Sequence, residues 1–196
     1  MNIWEHCLLS ARKFGGEPQD YQAVHSFLDS SKYFFYHIKH RLLLHHLLGI
    51  EWAVTTLGNF IQNTNGRVIL VRDVAVEHFR EDLDGTIPTL YEWLEKDENL
   101  QKFFPQLPEI DDEALAKFVH LPYHRTGLLG SYTITFSDFG VYLCEKILGF
   151  AKADLLRQLV PPSYKVKDML KNYQFSERWQ YNPQKQEILW LRQKLS

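Results

Sequence analysis

Apolar residues in the first half of the chain recur three and four positions apart, the period of a helix with a buried face. This spacing predicts a first helix from Asn2 to about Lys13, stopped by Gly15-Gly16, and a short one from Tyr21 to Leu28 capped by Asp20. Asp29 and Ser30 then precede a stretch from Ser31 to Leu57 that is apolar on almost every side. It predicts a long central helix, interrupted in pattern by Gly49 and ended by Gly58. The pattern next switches to a β-hairpin, residues 59–62 and 67–71, turned at Asn65-Gly66, a dipeptide that tolerates positive φ. Helical text resumes from Val74 to Leu83, with Asp73 as cap, and again after Pro88, where Thr89 and Glu92 have capping-box spacing.

Periodicity fades between Asp97 and Asp112, which carries Pro105 and Pro108. We place a boundary there, dividing the chain into a helical module with its hairpin, residues 1–104, and a helical C-terminal extension packed on it, residues 105–196. Beyond the boundary the pattern predicts a helix from Asp112 to Val119, a loop around Pro122 and a second long helix from Asp138 to Leu159. Pro161-Pro162 stops that helix, and a final one runs from Val166 to Asn172. Residues Glu187 to Lys194 fit a helix or a strand equally. The expected fold is mainly α, a helical bundle around a long central helix with one small β-hairpin. A short echo links His40-Arg41 and Leu48-Gly49 to His124-Arg125 and Leu129-Gly130, too brief to define a repeat.

Composition narrows the class. With 196 residues, 45% hydrophobic and 14% aromatic, the chain can fill a core without staples. Cys7 and Cys144 make no disulfide framework and read as reduced, buried thiols. No apolar run has the length of a membrane span, and Met-Asn-Ile-Trp-Glu-His lacks the build of a signal peptide, so a cytoplasmic protein is expected. The net charge of -2 is uneven: thirteen acids face three bases between Asp73 and Glu113, and ten bases face four acids from Lys146 onward. The basic region is interleaved with Tyr164, Tyr173, Phe175, Trp179, Tyr181 and Trp190, a composition compatible with nucleic acid. We read it instead as core aromatics with a solvated charged face, so nucleic acid is not an expected partner.

The chemistry concentrates in histidine. Four of nine histidines, His37, His40, His45 and His46, lie within ten residues on apolar helical text. Imidazoles in such surroundings need carboxylates, other polar groups or a metal. One straight helix cannot gather them, since His37 and His45 would stand about 12 Å apart along its axis. Other elements must complete a site. His78 and Asp82 are spaced i,i+4 with Glu81 between, and His25 and Asp29 repeat that spacing, although Asp29 also reads as a cap. We therefore expect metal ligands among His40, His45, His46, His78 and Asp82, with Arg41, Arg72 and Glu81 acting on a small anionic substrate. Mixed nitrogen and oxygen ligation suits zinc, manganese or iron, and no organic cofactor is indicated. The chain has no Walker A, GxGxxG, GxSxG or HExxH motif.

Several ordered motifs together resemble a family. They are HR-x3-HH at His40 to His46, NG at Asn65-Gly66, RD-x4-H-x2-ED at Arg72 to Asp82 and IPT-x3-WL at Ile87 to Leu94. Upstream, FGG at Phe14 to Gly16 and H-x-F-x-D-x-x-K at His25 to Lys32 fit the same pattern. Across roughly residues 1 to 95 the chain resembles an uncharacterised family of small, His-rich bacterial and phage-borne proteins. That resemblance implies one recurring module and carries no activity or catalytic role. The chain also resembles the HD-domain phosphohydrolases in its helical, His/Asp-rich character, but has His45-His46 where those proteins place an adjacent His-Asp pair. The leading expectation is a metal-dependent hydrolase acting on a phosphoester. The competing one is a non-enzymatic interaction protein, phage- or defence-related, with structural histidines. Either is compatible with a homo-oligomer.

Overall fold

The computed structural model describes residues 1–175, and the expectations for Trp179, Tyr181, Trp190 and residues 187–194 lie outside them. The described residues are mainly α-helical with one two-stranded antiparallel hairpin. The N-terminal elements are α1 (Ile3–Phe14), α2 (Gln22–Leu28), α3 (Arg41–Leu44), α4 (Leu47–Leu57), β1 (Phe60–Gln62), β2 (Val68–Leu70) and α5 (Val71–Asp82). After these come α6 (Leu90–Leu94), α7 (Asn99–Phe103), α8 (Glu113–Thr126), α9 (Tyr132–Thr135), α10 (Asp138–Leu148), α11 (Phe150–Leu159) and α12 (Val166–Met169). One apolar core runs from Tyr21 and Leu28 through Trp93 to Leu143 and Tyr173.

Residues 31–57 are not a continuous helix. Helical turns cover Ser30–Tyr33 and Ile38–His40, and the chain breaks at His45 (φ -84°, ψ 63°) and His46 (φ -156°, ψ 169°) between α3 and α4. Leucines flank the break, so hydrophobicity alone does not reveal it. What holds it is local: His46 is the N-cap of α4, its ring accepting from the Gly49 amide. The second long helix also divides, into α10 and α11, at Gly149, whose φ of 87° suits glycine. Conversely, α8 continues through the buried Pro122 where a loop was expected.

The real echo in the chain is structural and has a different register. The turn Ile38–His40, α3, the break, α4 and Gly58 recur as the turn Leu129–Ser131, α9, a break, α10 and Gly149. Each recurs 91 positions further on (132 against 41, 138 against 47). In the second copy Ser137 takes the capping place of His46, accepting from the Gly140 amide. The copies touch, with α3 against α9 and α4 against α10. The first copy carries an insertion: β1 and β2 lie between Gly58 and α5, whereas α11 follows Gly149 directly.

The hairpin is tied to the end of α1. Asp20 accepts from the amides of Glu17 and Thr64, Asn63 donates to Phe14 O and Tyr21 Oη, and Arg67 Nη1 donates to Phe14 O. A Cβ on Gly16 would fall 2.4 Å from Asp20 Oδ2 and 2.8 Å from Asn63 Cβ, so the FGG and NG motifs serve this junction. Asp20 therefore bridges α1 to the hairpin instead of capping α2.

Candidate metal centre

Three parts of the fold converge on one buried spot. Helix α5 contributes His78 and Asp82 from successive turns, α2 ends at Asp29, and the α3–α4 break turns His45 inward. One ligating atom from each of Asp29, His45, His78 and Asp82 lies within 4.8 Å of the others. His45 Nε2 stands 3.1 Å from His78 Nε2, 3.3 Å from Asp82 Oδ2 and 3.7 Å from Asp29 Oδ1. His78 Nε2 is also 3.7 Å from Asp29 Oδ1. A tetrahedral cation with ligand bonds of ~2.0–2.1 Å sets its donor atoms about 3.3 Å apart, inside this spread.

The donor atoms are what a cation would need. Asp29 Oδ1 and Asp82 Oδ2 are buried and make no hydrogen bond of normal geometry, an uncommon state for carboxylate oxygens. Four protein groups, two nitrogens and two oxygens, fit a divalent cation. A six-coordinate ion such as Mn²⁺ or Fe²⁺ would keep positions for water beside them, whereas a tetrahedral Zn²⁺ would be filled.

The surroundings set charge. Arg41 Nη2 lies 3.0 Å from Asp82 Oδ2, and Lys32 Nζ donates to Asp29 Oδ2 at 2.7 Å. The Met1 ammonium lies 3.2 Å from Asp82 Oδ1. Burial works against the Asp82 carboxylate, yet the adjacent His45 and His6 imidazoles and the Arg41 charge hold its pKa well below the usual range. Burial pushes the imidazoles the other way: His45 is lowered, and His78 and His40 fall well below the usual value. These three are therefore neutral at pH 7, the form that binds a metal.

A second group lies on the far side of His78. His78 Nδ1 is 3.0 Å from His25 Nδ1, and His25 Nε2 is 2.9 Å from Ser10 Oγ. His6 packs its ring on His78 at 4.0 Å between centroids, with Nδ1 2.5 Å from Glu81 Oε2 and Nε2 3.4 Å from Asp82 Oδ1.

Of the expected ligands, the structure brings His45, His78 and Asp82 together. His40 sits beside them, its ring edge-on to His45 at 5.1 Å and its Nδ1 bonded to Ser31 Oγ, outside the converging group. His46 is engaged elsewhere: Nε2 donates to Leu43 O, and its ring edge faces Trp52. Arg41 points at Asp82, whereas Arg72 is exposed on α5, and Glu81 partners His6. The expectation did not include Asp29, His6 or His25 among the ligands. Asp29 had been read as a cap, but its carboxylate makes no cap bond. The matching i,i+4 pairs His25/Asp29 and His78/Asp82 were the sequence signal, and His6 stands alone on α1 without one.

A family model described as a domain of unknown function, DUF6915, matches residues 1–103. The chain belongs to that family. No curated protein and no solved structure matches it. The DUF6915 match runs from α1 to the end of α7 and holds every residue of both histidine groups. The ordered motifs of residues 1 to 95 thus belong to an uncharacterised family. Within DUF6915 the hairpin motifs serve the junction with α1, while the HR-x3-HH and H-x2-ED motifs supply the buried cluster. Among the described residues no helix is long and apolar enough to cross a membrane. Cys7 and Cys144 are free and buried, and burial pushes both thiols up to about 11, so neither is a thiolate at neutral pH.

Proposed function

We propose that the Asp29–His45–His78–Asp82 group holds a divalent cation and that the protein is a metal-dependent hydrolase for small anionic esters, phosphoesters first. The observation that carries this reading is the pair of buried carboxylate oxygens, Asp29 Oδ1 without a hydrogen bond and Asp82 Oδ2 ion-paired to Arg41, converging on two facing imidazole nitrogens. A divalent cation supplies Lewis-acid chemistry there, acidifying water and polarising an ester oxygen.

The chain's own groups have distinct parts. Arg41, buried and fixed against Asp82, offers its remaining guanidinium donors to a phosphoryl oxygen; its Nε is buried without a partner. The Trp93 indole donates to His45 O at 2.8 Å, which holds the break that turns His45 inward. Glu81, part-exposed and hydrogen-bonded to His6, can accept a proton at the rim. Met1, Lys32 and Glu81, all half-buried, border the cluster, and a small substrate or the end of a larger one would have to enter past them.

A screen of small phosphoesters with Mn²⁺, Fe²⁺ or Zn²⁺ tests this. Turnover should appear with metal, fall below about one-hundredth in Asp29→Ala, and fall about ten- to a hundredfold in Arg41→Ala with metal still bound. Metal-loaded protein that turns over no ester contradicts the hydrolase reading. It would favour the competing one, an interaction protein with a structural histidine core, which the near-complete burial of the four residues also fits.

A further inference from the structure

We infer that a second divalent cation binds on the other face of His78, held by His6, His25 and His78, with the His78 ring bridging the two ions as an imidazolate. This rests on the metal reading of the Asp29–His45–His78–Asp82 group and extends it to a two-ion centre.

The geometry is specific to these side chains. One ring nitrogen from each of His6, His25 and His78 lies within 4.8 Å of the others, and all three residues are buried. The outer nitrogens of the two flanking rings are already engaged. His6 Nδ1 donates to Glu81 Oε2, and His25 Nε2 pairs with Ser10 Oγ at 2.9 Å, the hydroxyl serving as acceptor when Nδ1 ligates. Those outer bonds orient a ring and leave its other nitrogen as the base, the arrangement found behind metal-ligating histidines. The remaining nitrogens answer to that description: His6 Nε2 is buried without a hydrogen bond, and His25 Nδ1 faces His78 Nδ1 at 3.0 Å.

His78 is engaged on both nitrogens, Nε2 toward His45 and Asp29 and Nδ1 toward His25. Asp82 spans the same gap, with Oδ2 toward His45 and Oδ1 toward His6. The imidazolate adds a negative charge beside the carboxylates of Asp29, Asp82 and Glu81, which Arg41, Lys32 and the Met1 ammonium also engage or border. On loading, the one remaining ring proton of neutral His78 leaves to solvent as the N–H bond breaks and the second metal–nitrogen bond forms, with no change of oxidation state. Three nitrogen donors select a transition ion of the Co²⁺, Cu²⁺ or Zn²⁺ kind over Mg²⁺ or Ca²⁺.

The test is titration of the chelator-stripped full chain with Co²⁺ alone, followed by absorbance, with bound cobalt counted by mass spectrometry. Two ions per chain are expected, falling to one in His25→Ala and in His6→Gln. One ion in the native chain overturns the second site and leaves the first intact. None overturns both. Two ions retained in both variants overturn the assignment to His6 and His25. Should the variants fail to fold, the native chain decides: paramagnetic resonance of the doubly loaded protein should show two coupled ions, and two independent signals would overturn the bridge.

Discussion

His46 and Asp29 illustrate how buried polar residues near one site serve different ends. His46 is buried and adjacent in sequence to the candidate ligand His45, yet its nitrogens are committed to Leu43 O and the Gly49 amide. Asp29 sits at the end of a short helix and keeps one oxygen without a hydrogen bond. His46→Ala should cost about 2–4 kcal/mol in urea unfolding, through a lost cap and a new cavity, and leave metal binding intact. Asp29→Ala should do the reverse, abolishing metal binding with a smaller change in the stability of the metal-free chain. Acid adds a second residue-scale test. Burial lowers His25 and His46 to about 3, so between pH 6.5 and about 3 these two bind protons only when the chain unfolds. Each then removes about 1.4 kcal/mol of stability per pH unit on acidification. His6 opposes this: burial disfavours its charge, but bonds to Asp82 and Glu81 raise its pKa, so its contribution is full below pH 6.5 and fades as pH rises. With four strongly lowered imidazoles, His25, His40, His46 and His78, against one raised, the urea midpoint of chelated protein should fall from pH 7 to pH 5. A flat or rising profile would contradict the assignment of neutral buried imidazoles.

Two breaks in apolar helical text shape the elements, and both depend on a glycine one turn after the cap. A Cβ on Gly49 would lie 1.8 Å from Leu44 O, and one on Gly140 2.3 Å from Thr135 O. Gly49→Ala and Gly140→Ala should each destabilise the fold by about 1–3 kcal/mol or more in urea unfolding. Only Gly49→Ala should also weaken metal binding, because it displaces His45. The helix class, the hairpin with its Asn65-Gly66 turn and the Thr89/Glu92 capping box were legible, since each has a local sequence signature. The break between α3 and α4 was not, because leucines on both sides continue the helical period and the cap is a histidine, outside the usual capping set, whereas the start of α10 at Asp138 behind Ser137 was. In the clusters themselves, His6 alone had no local signal. His45, His78 and Asp82 stood out by clustering or spacing, while His6 joins them only through the packing of α1 on α5.

At the scale of the molecule, the chain builds one helical pattern twice and, among the described residues, the candidate cation cluster draws on the first copy and not the second. Phe136, Ser137 and Tyr132 stand where the first copy has His45, His46 and Arg41. Arg157 and Pro161 take the places of His78 and Asp82 (α11 begins at 150 where α5 begins at 71). A cation held by the first copy would tie the end of α2, the α3–α4 break and α5 together. Binding at about a thousand times its dissociation constant adds roughly 4 kcal/mol to stability. Chelation should therefore lower the Tm by about 8–16 °C for a chain of this size, read by calorimetry. An unchanged Tm would argue against a cation in the core.

The most direct test of the centre is metal content by mass spectrometry on the full chain, purified without an affinity tag or chelator, beside Asp29→Ala and His46→Ala. The account predicts at least one zinc, manganese or iron ion per native chain, lost in Asp29→Ala and kept in His46→Ala. A folded native protein that carries none of these ions, and takes up none when they are added, would contradict it.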